Sequence, residues 1–284
     1  MGAALVLIGT PIGNLGDLSP RAVEELARAD VVCCEDSRRT GRLLQHAGVR
    51  ARELMVVNDH NEAQRVGEVL LRLSRGDRVA VVSDAGMPGI ADPGERLVAA
   101  ASRDGFTIEV VPGPSAALAA LVASGLPTGR FVFEGFLSRK SGARRERLRS
   151  LVDEERTLVF YEAPHRLVAT LADLSEELGG WRRIAVAREL TKLHEEVWRG
   201  HLHSAPAWAE ERSPRGEFVL VVQGQLPPGP ASASDVEGAV AARLAAGDSA
   251  RDASAAVASA LGVPKREAYD VAIRLSAALE TEAD

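Results

Sequence analysis

Two α/β domains followed by a small helical unit are the fold class the sequence predicts, and three observations carry that reading. Through residues 1–125, short apolar runs alternate with amphipathic stretches, the pattern of a mostly parallel sheet flanked by helices. After Leu126-Pro127-Thr128-Gly129 the runs crowd together, and several connections become too short for a helix, which favours antiparallel pairing in a second, mixed domain at 126–225. Beyond the proline-rich segment 226–234, read as a linker, the chain turns alanine-rich and helical at 235–284. A chain of 284 residues is long enough for two cores and a small appendage.

Taken in order, the first half offers strands at Ala4–Ile8, Val31–Cys34, Leu54–Val57, Val79–Val82 and Thr107–Val111. Helix starts are readable between them: Ser19 before Pro20 pairs a cap with a first-turn proline, and Asn61 with Gln64 resembles a capping box. The second half offers strands at Phe131–Glu134, Leu158–Glu162, Ile184–Ala187, Glu196–Arg199 and Phe218–Val222, with a basic helix and a helix at about His165–Leu178 among them. A cleft between the halves is expected. At the end, Asp252–Leu261 and Lys265–Leu279, separated by Gly262-Val263-Pro264, form either a helix-turn-helix or a three-helix cap without a nucleic-acid role; the acidic Glu280, Glu282 and Asp284 favour the cap.

Composition narrows the function classes. No segment approaches the ~20 uninterrupted apolar residues of a membrane span, and the chain runs from Met1 directly into Leu5-Val6-Leu7-Ile8 with no basic leader, so a soluble, cytoplasmic protein is expected. The two cysteines, Cys33 and Cys34, are adjacent and close an apolar run, which suits buried thiols better than a cross-link. A net charge of −6 argues against indiscriminate polyanion binding, so any nucleic-acid contact is local. The dense basic stretch is Arg139, Lys140, Arg144, Arg145, Arg147 and Arg149, whose plain alternative is a solvated helix face. Aromatics at 4% make extensive base stacking a poor expectation. His194, His201 and His203 lack carboxylate or cysteine partners at metal-binding spacing, and no metal is expected.

In an open α/β sheet, ligands bind beyond the carboxyl ends of the strands, so the loops there carry the chemistry. Three are rich in glycine and proline: Gly9-Thr10-Pro11-Ile12-Gly13-Asn14-Leu15-Gly16-Asp17, Ser83-Asp84-Ala85-Gly86-Met87-Pro88-Gly89-Ile90-Ala91-Asp92-Pro93-Gly94, and Pro112-Gly113-Pro114-Ser115-Ala116-Ala117. Such loops let backbone approach a ligand closely. None ends in Gly-Lys-Ser/Thr and none reads G-x-G-x-x-G, which disfavours a P-loop nucleotidase and a Rossmann dehydrogenase.

These loops, with Glu35-Asp36-Ser37-Arg38-Arg39-Thr40, Phe160-Tyr161-Glu162-Ala163-Pro164-His165-Arg166 and Ala187-Arg188-Glu189-Leu190-Thr191-Lys192, resemble the tetrapyrrole methylase superfamily over nearly the whole chain, and within it the branch that methylates small-subunit ribosomal RNA. Ser37 departs mildly from a position where threonine is frequent in that branch. The resemblance implies two α/β domains with S-adenosylmethionine in the cleft between them, a homodimer, a helix-turn-helix-like C-terminal appendage, and methyl transfer to the 2′-oxygen of a 16S rRNA cytidine in the small ribosomal subunit. It implies cofactor contacts from Ile12, Val82, Ser83, Asp84, Met87, Ser115 and Ala116, joined by Glu162 and Leu190 from the second domain.

A ribose hydroxyl is a weak nucleophile, and Asp36, Glu162 and Glu189 are candidate bases without an assignment among them. Arg38, Arg39, Lys140, Arg144, Arg145, Arg166, Arg188 and Lys192 are the candidate RNA contacts. Two other functions compete: methylation of a small corrin or porphyrin, and a non-catalytic regulator that reads nucleic acid through its C-terminal helices. The basic stretch speaks against the first, and the three ligand loops are unexplained by the second.

Overall fold

The computed structural model describes residues 2–212, 215–226, 233–261 and 263–281, with side chains through 276. Residues up to 225 form one compact unit and the C-terminal helices a second.

The first sheet contains β1 (Ala4–Ile8), β2 (Val31–Cys34), β3 (Leu54–Val56), β4 (Arg78–Val82) and β5 (Ile108–Val111). All pair in parallel, in the order β3-β2-β4-β1-β5. Every residue of β1, β2 and β4 is buried, because helices cover both faces. Alternate side chains divide between them. Ala4, Val6 and Ile8 meet α1 (Pro20–Arg28) and α2 (Ser37–Ala47) on one face, whereas Leu5, Val31, Cys33 and Val79 meet α3 (Glu62–Ser74) and α4 (Glu95–Arg103) on the other. The chain leaves β1 past β4 toward β2, and leaves β4 past β1 toward β5. The loops after β1 and β4 therefore part at a topological switch point, where such sheets open a ligand crevice.

Ser19 caps α1 as expected, its hydroxyl accepting from the Ala22 N–H. Asn61 is a correction: no capping box forms at α3, because the Asn61 side chain accepts from the Asn58 N–H instead. Its neighbour Glu62, buried, caps a different helix. One carboxylate oxygen accepts from the N–H groups of Gly94, Arg96 and Leu97 at 2.9–3.3 Å, where the first turn of α4 would otherwise leave them bare.

The second sheet holds β6 (Phe131–Phe136), β7 (Thr157–Glu162), β8 (Arg183–Arg188), β9 (Glu196–His201) and β10 (Phe218–Val222), ordered β6-β7-β10-β8-β9. It is mixed: β6 and β7 are parallel and the remaining pairs antiparallel. Preceding β7 is α6 (Ser141–Arg149), while α7 (Leu167–Leu178) and α8 (Ala205–Glu211) follow β7 and β9. These helices bury Leu148, Leu171 and Trp208 against Leu158, Phe160, Val186 and Leu220. The other face is covered from the N-terminal side of the chain: α5 (Ala116–Ser124) sets Ala117, Ala120 and Leu121 on Val159, Ala185, Val219 and Val221, together with Ile12 and Leu190. Although α5 precedes the boundary read at residue 125, it packs on the second sheet.

The C-terminal unit contains α9 (Ala233–Ala245), α10 (Ala250–Leu261) and α11 (Lys265–Thr281), closed around Val236, Val240, Val257, Ala268 and Ala272. Ser249 caps α10, its hydroxyl accepting from the Asp252 N–H and donating to the Asp252 carboxylate. The linker read at 226–234 is corrected at its end, since Ala233 and Ser234 already belong to α9; residues 227–232 lie outside the described residues, as do Gly262 and the side chains of the acidic end.

Candidate functional site

The loops after β1, β2, β4 and β5 meet the ends of β6, β7, β8 and β10 around a cavity of about 380 Å³, within the range of small-molecule sites. Backbone contact brings the first sheet's loops together. Gly9 and Gly113 touch so closely that a Cβ on Gly9 would lie 2.6 Å from the Gly113 Cα and 2.7 Å from the Met87 sulfur. Thr10 and Gly86 exchange backbone hydrogen bonds at 2.8 and 3.2 Å, and the buried Thr10 hydroxyl donates to the Ser83 carbonyl at 3.2 Å. From the other side, the loop joining β8 and β9 docks on Gly13 and Asn14, with the Asn14 N–H donating to the Thr191 hydroxyl at 3.1 Å. Ala91, Glu189 and Thr191 take positive φ without being glycine, so strained backbone is concentrated in the loops around the cavity.

Of the nine candidate cofactor residues, Ile12, Asp84, Met87, Ser115, Ala116, Glu162 and Leu190 line this cavity. Val82 and Ser83 do not. Val82 points into the core beneath α1 and α2, and the Ser83 hydroxyl serves its own loop, within hydrogen-bond reach of the Gly86 carbonyl at 3.2 Å and of the Asp92 carboxyl.

The three candidate bases lie in three different settings. Asp36 caps α2 and accepts from the Arg38 backbone and guanidinium; those hydrogen bonds hold its carboxyl below the ordinary range. Glu162 is buried on the cavity wall with its oxygens occupied by Thr170 Oγ1 at 2.5 Å and the Ala163 N–H at 2.8 Å, and with Arg166 Nε 3.4 Å away. Glu189 is outside the cavity lining; burial would raise its pKa, but the Lys192 ammonium at 2.8 Å and the Glu217 N–H at 3.0 Å outweigh burial and hold it low.

The candidate RNA contacts do not form one patch. Arg39 lines the cavity beside Asp84, and Arg38 next to it is exposed. Lys140 is exposed and, among the described residues, makes no ion pair. Arg144 is buried, with Nη2 2.6 Å from Asp173, and Arg145 reaches Asp173 and Glu176, both at 2.8 Å. Arg147 pairs with Glu134 and Arg149 with Glu177, so most of the basic stretch is the charged seam between α6 and its acidic neighbours. Arg166 donates to the carbonyls of Leu137 and Ser138, Arg188 to that of Arg215, and Lys192 bridges Glu189 and Glu217.

Sequence reasoning passed over Glu35, Asp92, Phe136 and Tyr161, all of which line the cavity. Glu35 accepts from the Asp84 N–H at 3.0 Å, and Asp84 accepts from the Asp36 N–H at 3.2 Å, so each carboxylate holds a backbone N–H of the other's loop. Burial raises the pKa of both, and each is further pressed by neighbouring negative charge, with Arg39 as the opposing cation. Asp92 is pushed up to about 7, first by burial and then by the charges of Glu35, Asp59 and Asp84, against a hydrogen bond from Ser83. Across the cavity, the Tyr161 hydroxyl accepts from the Ala117 N–H at 3.2 Å, and its ring meets Phe133 and Phe136 at 5.0 and 5.4 Å. The signal for Asp92 was available, since it stands in the same loop as Asp84.

Among the described residues no cluster of three or more His, Cys, Asp or Glu side chains could hold a metal ion, and no helix is long and apolar enough to cross a membrane. His201 and His203 instead stack on each other beside the exposed Trp181.

A switch-point crevice walled by a second, mixed sheet is the architecture of a known methyltransferase class. The profile of the family Tetrapyrrole (Corrin/Porphyrin) Methylases matches residues 4–206. The solved structure of the methyltransferase CobJ shares the fold at a TM-score of 0.61, with 24% identity over 81% of this chain and 98% of that one; a uroporphyrin-III-C-methyltransferase from Thermus thermophilus does so at 0.54, with 24% identity over 78% and 94%. Proteins named ribosomal RNA small subunit methyltransferase I are much more similar in sequence: one from Synechocystis sp. is 47% identical over 96% of this chain and 98% of its own length, and one from Mycobacterium bovis 46% over 95% and 94%. The chain is thus an enzyme of the tetrapyrrole methylase family and belongs, within it, to the ribosomal RNA small subunit methyltransferase I group.

One relative in that group, from Thermotoga maritima, is 44% identical over 221 residues that make up 98% of its length but 78% of this chain. It is shorter by roughly the size of the C-terminal unit.

Proposed function

We propose that the protein transfers a methyl group from S-adenosylmethionine to the 2′-oxygen of cytidine 1402 of 16S rRNA in the small ribosomal subunit. The observation that carries this reading is the furnishing of the cavity in a chain 47% identical to a small-subunit rRNA methyltransferase: carboxylates from both sheets, among them Glu35, Asp84 and Asp92 on the first sheet's side, set beside apolar surface. S-adenosylmethionine bears a sulfonium and an ammonium beside an adenosine, and the donor set suits it. Asp84 and Glu35 offer acceptors to cationic or hydroxyl groups, while Ile12, Met87, Ala116 and Leu190 give the apolar contact that adenosyl and methionyl parts require.

When bound, the cofactor supplies an electrophilic methyl carbon whose transfer discharges the sulfonium. The chain's own contribution is positioning, which holds two reactants in line and excludes water. The tight Gly9–Gly113 contact and the Glu62 cap on α4 fix the acidic loops, and the β8–β9 loop closes the cavity from the second sheet. Arg139 and Lys140 are exposed cations for phosphates, and Arg38 and Arg39 are exposed although paired with Asp36 and Asp84, whereas Arg144 is buried against Asp173. A homodimer would draw on exposed apolar residues of β5 and α5, notably Val110, Leu118 and Val122, and the α10–α11 pair is read as a helix-turn-helix-like appendage. The working compartment is the cytoplasm, where small subunits are found.

Cofactor calorimetry together with transfer of labelled methyl to small subunits tests this reading. Micromolar affinity and label on a cytidine ribose are expected; cofactor binding without label on RNA, and label on a corrin or porphyrin instead, would overturn it.

A further inference from the structure

One aromatic side chain reaches the cavity through an irregularity of its strand. Successive residues of a strand face opposite ways, and β6 begins so: Val132 packs on the side covered by α6, α7 and α8, and Phe133 on the side covered by α5. Continued, that alternation would put position 136 with Val132, beneath the helices. Instead the pairing of β6 with β7 slips between Phe133 and Gly135. Glu134 is the extra residue of a bulge, Gly135 takes φ 61°, and Phe136 comes to stand opposite Tyr161. Bulges beside a site re-aim a side chain in this way. The Phe136 ring joins Phe133 and Tyr161 at the cavity, 5.4 Å from Tyr161, while Leu137 turns back into the core. Although it lines the cavity, Phe136 is 56% exposed, so its ring stands at the mouth with one face in water. Its support is fixed. The Tyr161 hydroxyl is held by the Ala117 N–H, and Arg166 donates to the carbonyls of Leu137 and Ser138 directly after the ring. The exposed Arg139 and Lys140 follow.

Resting on the proposed ribose methylation, we infer that Phe136 is the stacking face for the base of the nucleotide being methylated. A 2′-hydroxyl in a folded RNA reaches a crevice only when its nucleotide is drawn away from its neighbours, which costs stacking. An aromatic ring restores that stacking for any base, because every base has a π face. The cations at 139 and 140 suit the phosphates that flank an extruded nucleotide. A base fixed at the mouth limits where its ribose can lie, and Phe136 acts on the reaction through that placement. The adenine of the cofactor is the other flat group that could cover the ring, and the two occupants give different results.

The test compares wild type with Phe136→Ala, Phe136→Leu and Phe136→Tyr as full-length proteins. Leucine keeps apolar bulk without a π face, and tyrosine keeps the face. At saturating cofactor, kcat/KM for methyl transfer to small subunits should fall about 5–150-fold in both Phe136→Ala and Phe136→Leu, the loss of one base–aromatic stack. Phe136→Tyr should stay within about threefold of wild type. Cofactor affinity, measured by calorimetry on each protein alone, should change less than about threefold throughout, which also reports folding. Wild-type kcat/KM in Phe136→Leu or Phe136→Ala would overturn the inference, and so would an equal loss in Phe136→Tyr. A loss residing in cofactor affinity would give the ring to the adenine instead. If Phe136→Ala does not fold, the contrast between Phe136→Leu and Phe136→Tyr still decides. A wild-type protein that binds cofactor but labels no RNA would refute the ribose methylation itself rather than the role of Phe136.

Discussion

Arg39 Nη1 stands 3.5 Å from Asp84 Oδ2 at the mouth of the cavity, where a cation meets a wall furnished by Glu35, Asp84 and Asp92. The pair joins two loops that are far apart in the chain, and the Arg39 cation opposes the upward shift that burial imposes on the Asp84 carboxyl. Asp84→Ala should therefore weaken S-adenosylmethionine binding at least tenfold, roughly 1.4 kcal/mol. Titration calorimetry decides it, and unchanged affinity removes Asp84 from the cofactor site.

Gly113→Ala should be among the most damaging single-atom additions in the protein. The new Cβ would lie 2.7–2.9 Å from the Cα, C and O atoms of Gly9, and neither backbone can retreat without breaking the pairing of β1 and β5. A stability loss of about 1–3 kcal/mol, typical of overpacking, is expected in urea melts together with weakened cofactor binding. Gly129→Ala, where a Cβ meets nothing within 4 Å, is the matched control and should change neither.

Arg144→Ala should act on stability. Both Arg144 and Asp173 are nearly inaccessible, and removing the guanidinium leaves the buried carboxylate with Arg145 as its remaining cation, at a cost of about 1.5–3 kcal/mol for a lost hydrogen bond to a charged group. Lys140→Ala should leave the denaturation midpoint in place and weaken RNA binding at low salt. The reverse assignment of effects would show that the α6 arginines serve the substrate.

Asp92 also predicts a pH dependence of stability. Its folded pKa of about 7 lies above the 3.8 of an unperturbed aspartate, so the folded chain keeps a proton that the unfolded chain releases. That stabilisation is complete below the lower value and is lost as pH rises through the upper one. Asp92→Asn should thus gain on wild type between pH 5 and 8 by about 1–2 kcal/mol, the fully buried figure being reduced for partial exposure. A constant stability difference between the two proteins across that range would contradict a raised Asp92 pKa.

A chain ending at Gln225 should retain the cofactor affinity of the full protein, because every cavity residue belongs to the first compact unit. The regulator reading, in which the C-terminal helices act, expects no cofactor binding by either form.

Strands were legible wherever apolar runs were uninterrupted, as in β1, β2 and β10, and so was the Ser19 cap, because those signals are local. The position of α5 was not: a helix apolar on all sides reports that it is buried, without saying on which sheet. Asn61 shows the same limit, its capping side chain diverted by Asn58 through a contact that spacing does not encode. At the site, the motifs brought Asp84, Met87, Ser115 and Leu190 to one cavity, while the basic stretch around Arg144 misled because its partners Asp173 and Glu177 lie a helix away in sequence.

The central claim is tested most directly by incubating the protein with labelled S-adenosylmethionine and small ribosomal subunits lacking the modification, then mapping the label by nuclease digestion and mass analysis. The account predicts one methyl per 16S rRNA, on the 2′-oxygen of a single cytidine. Label on a base, or none on RNA despite intact cofactor binding, would contradict it.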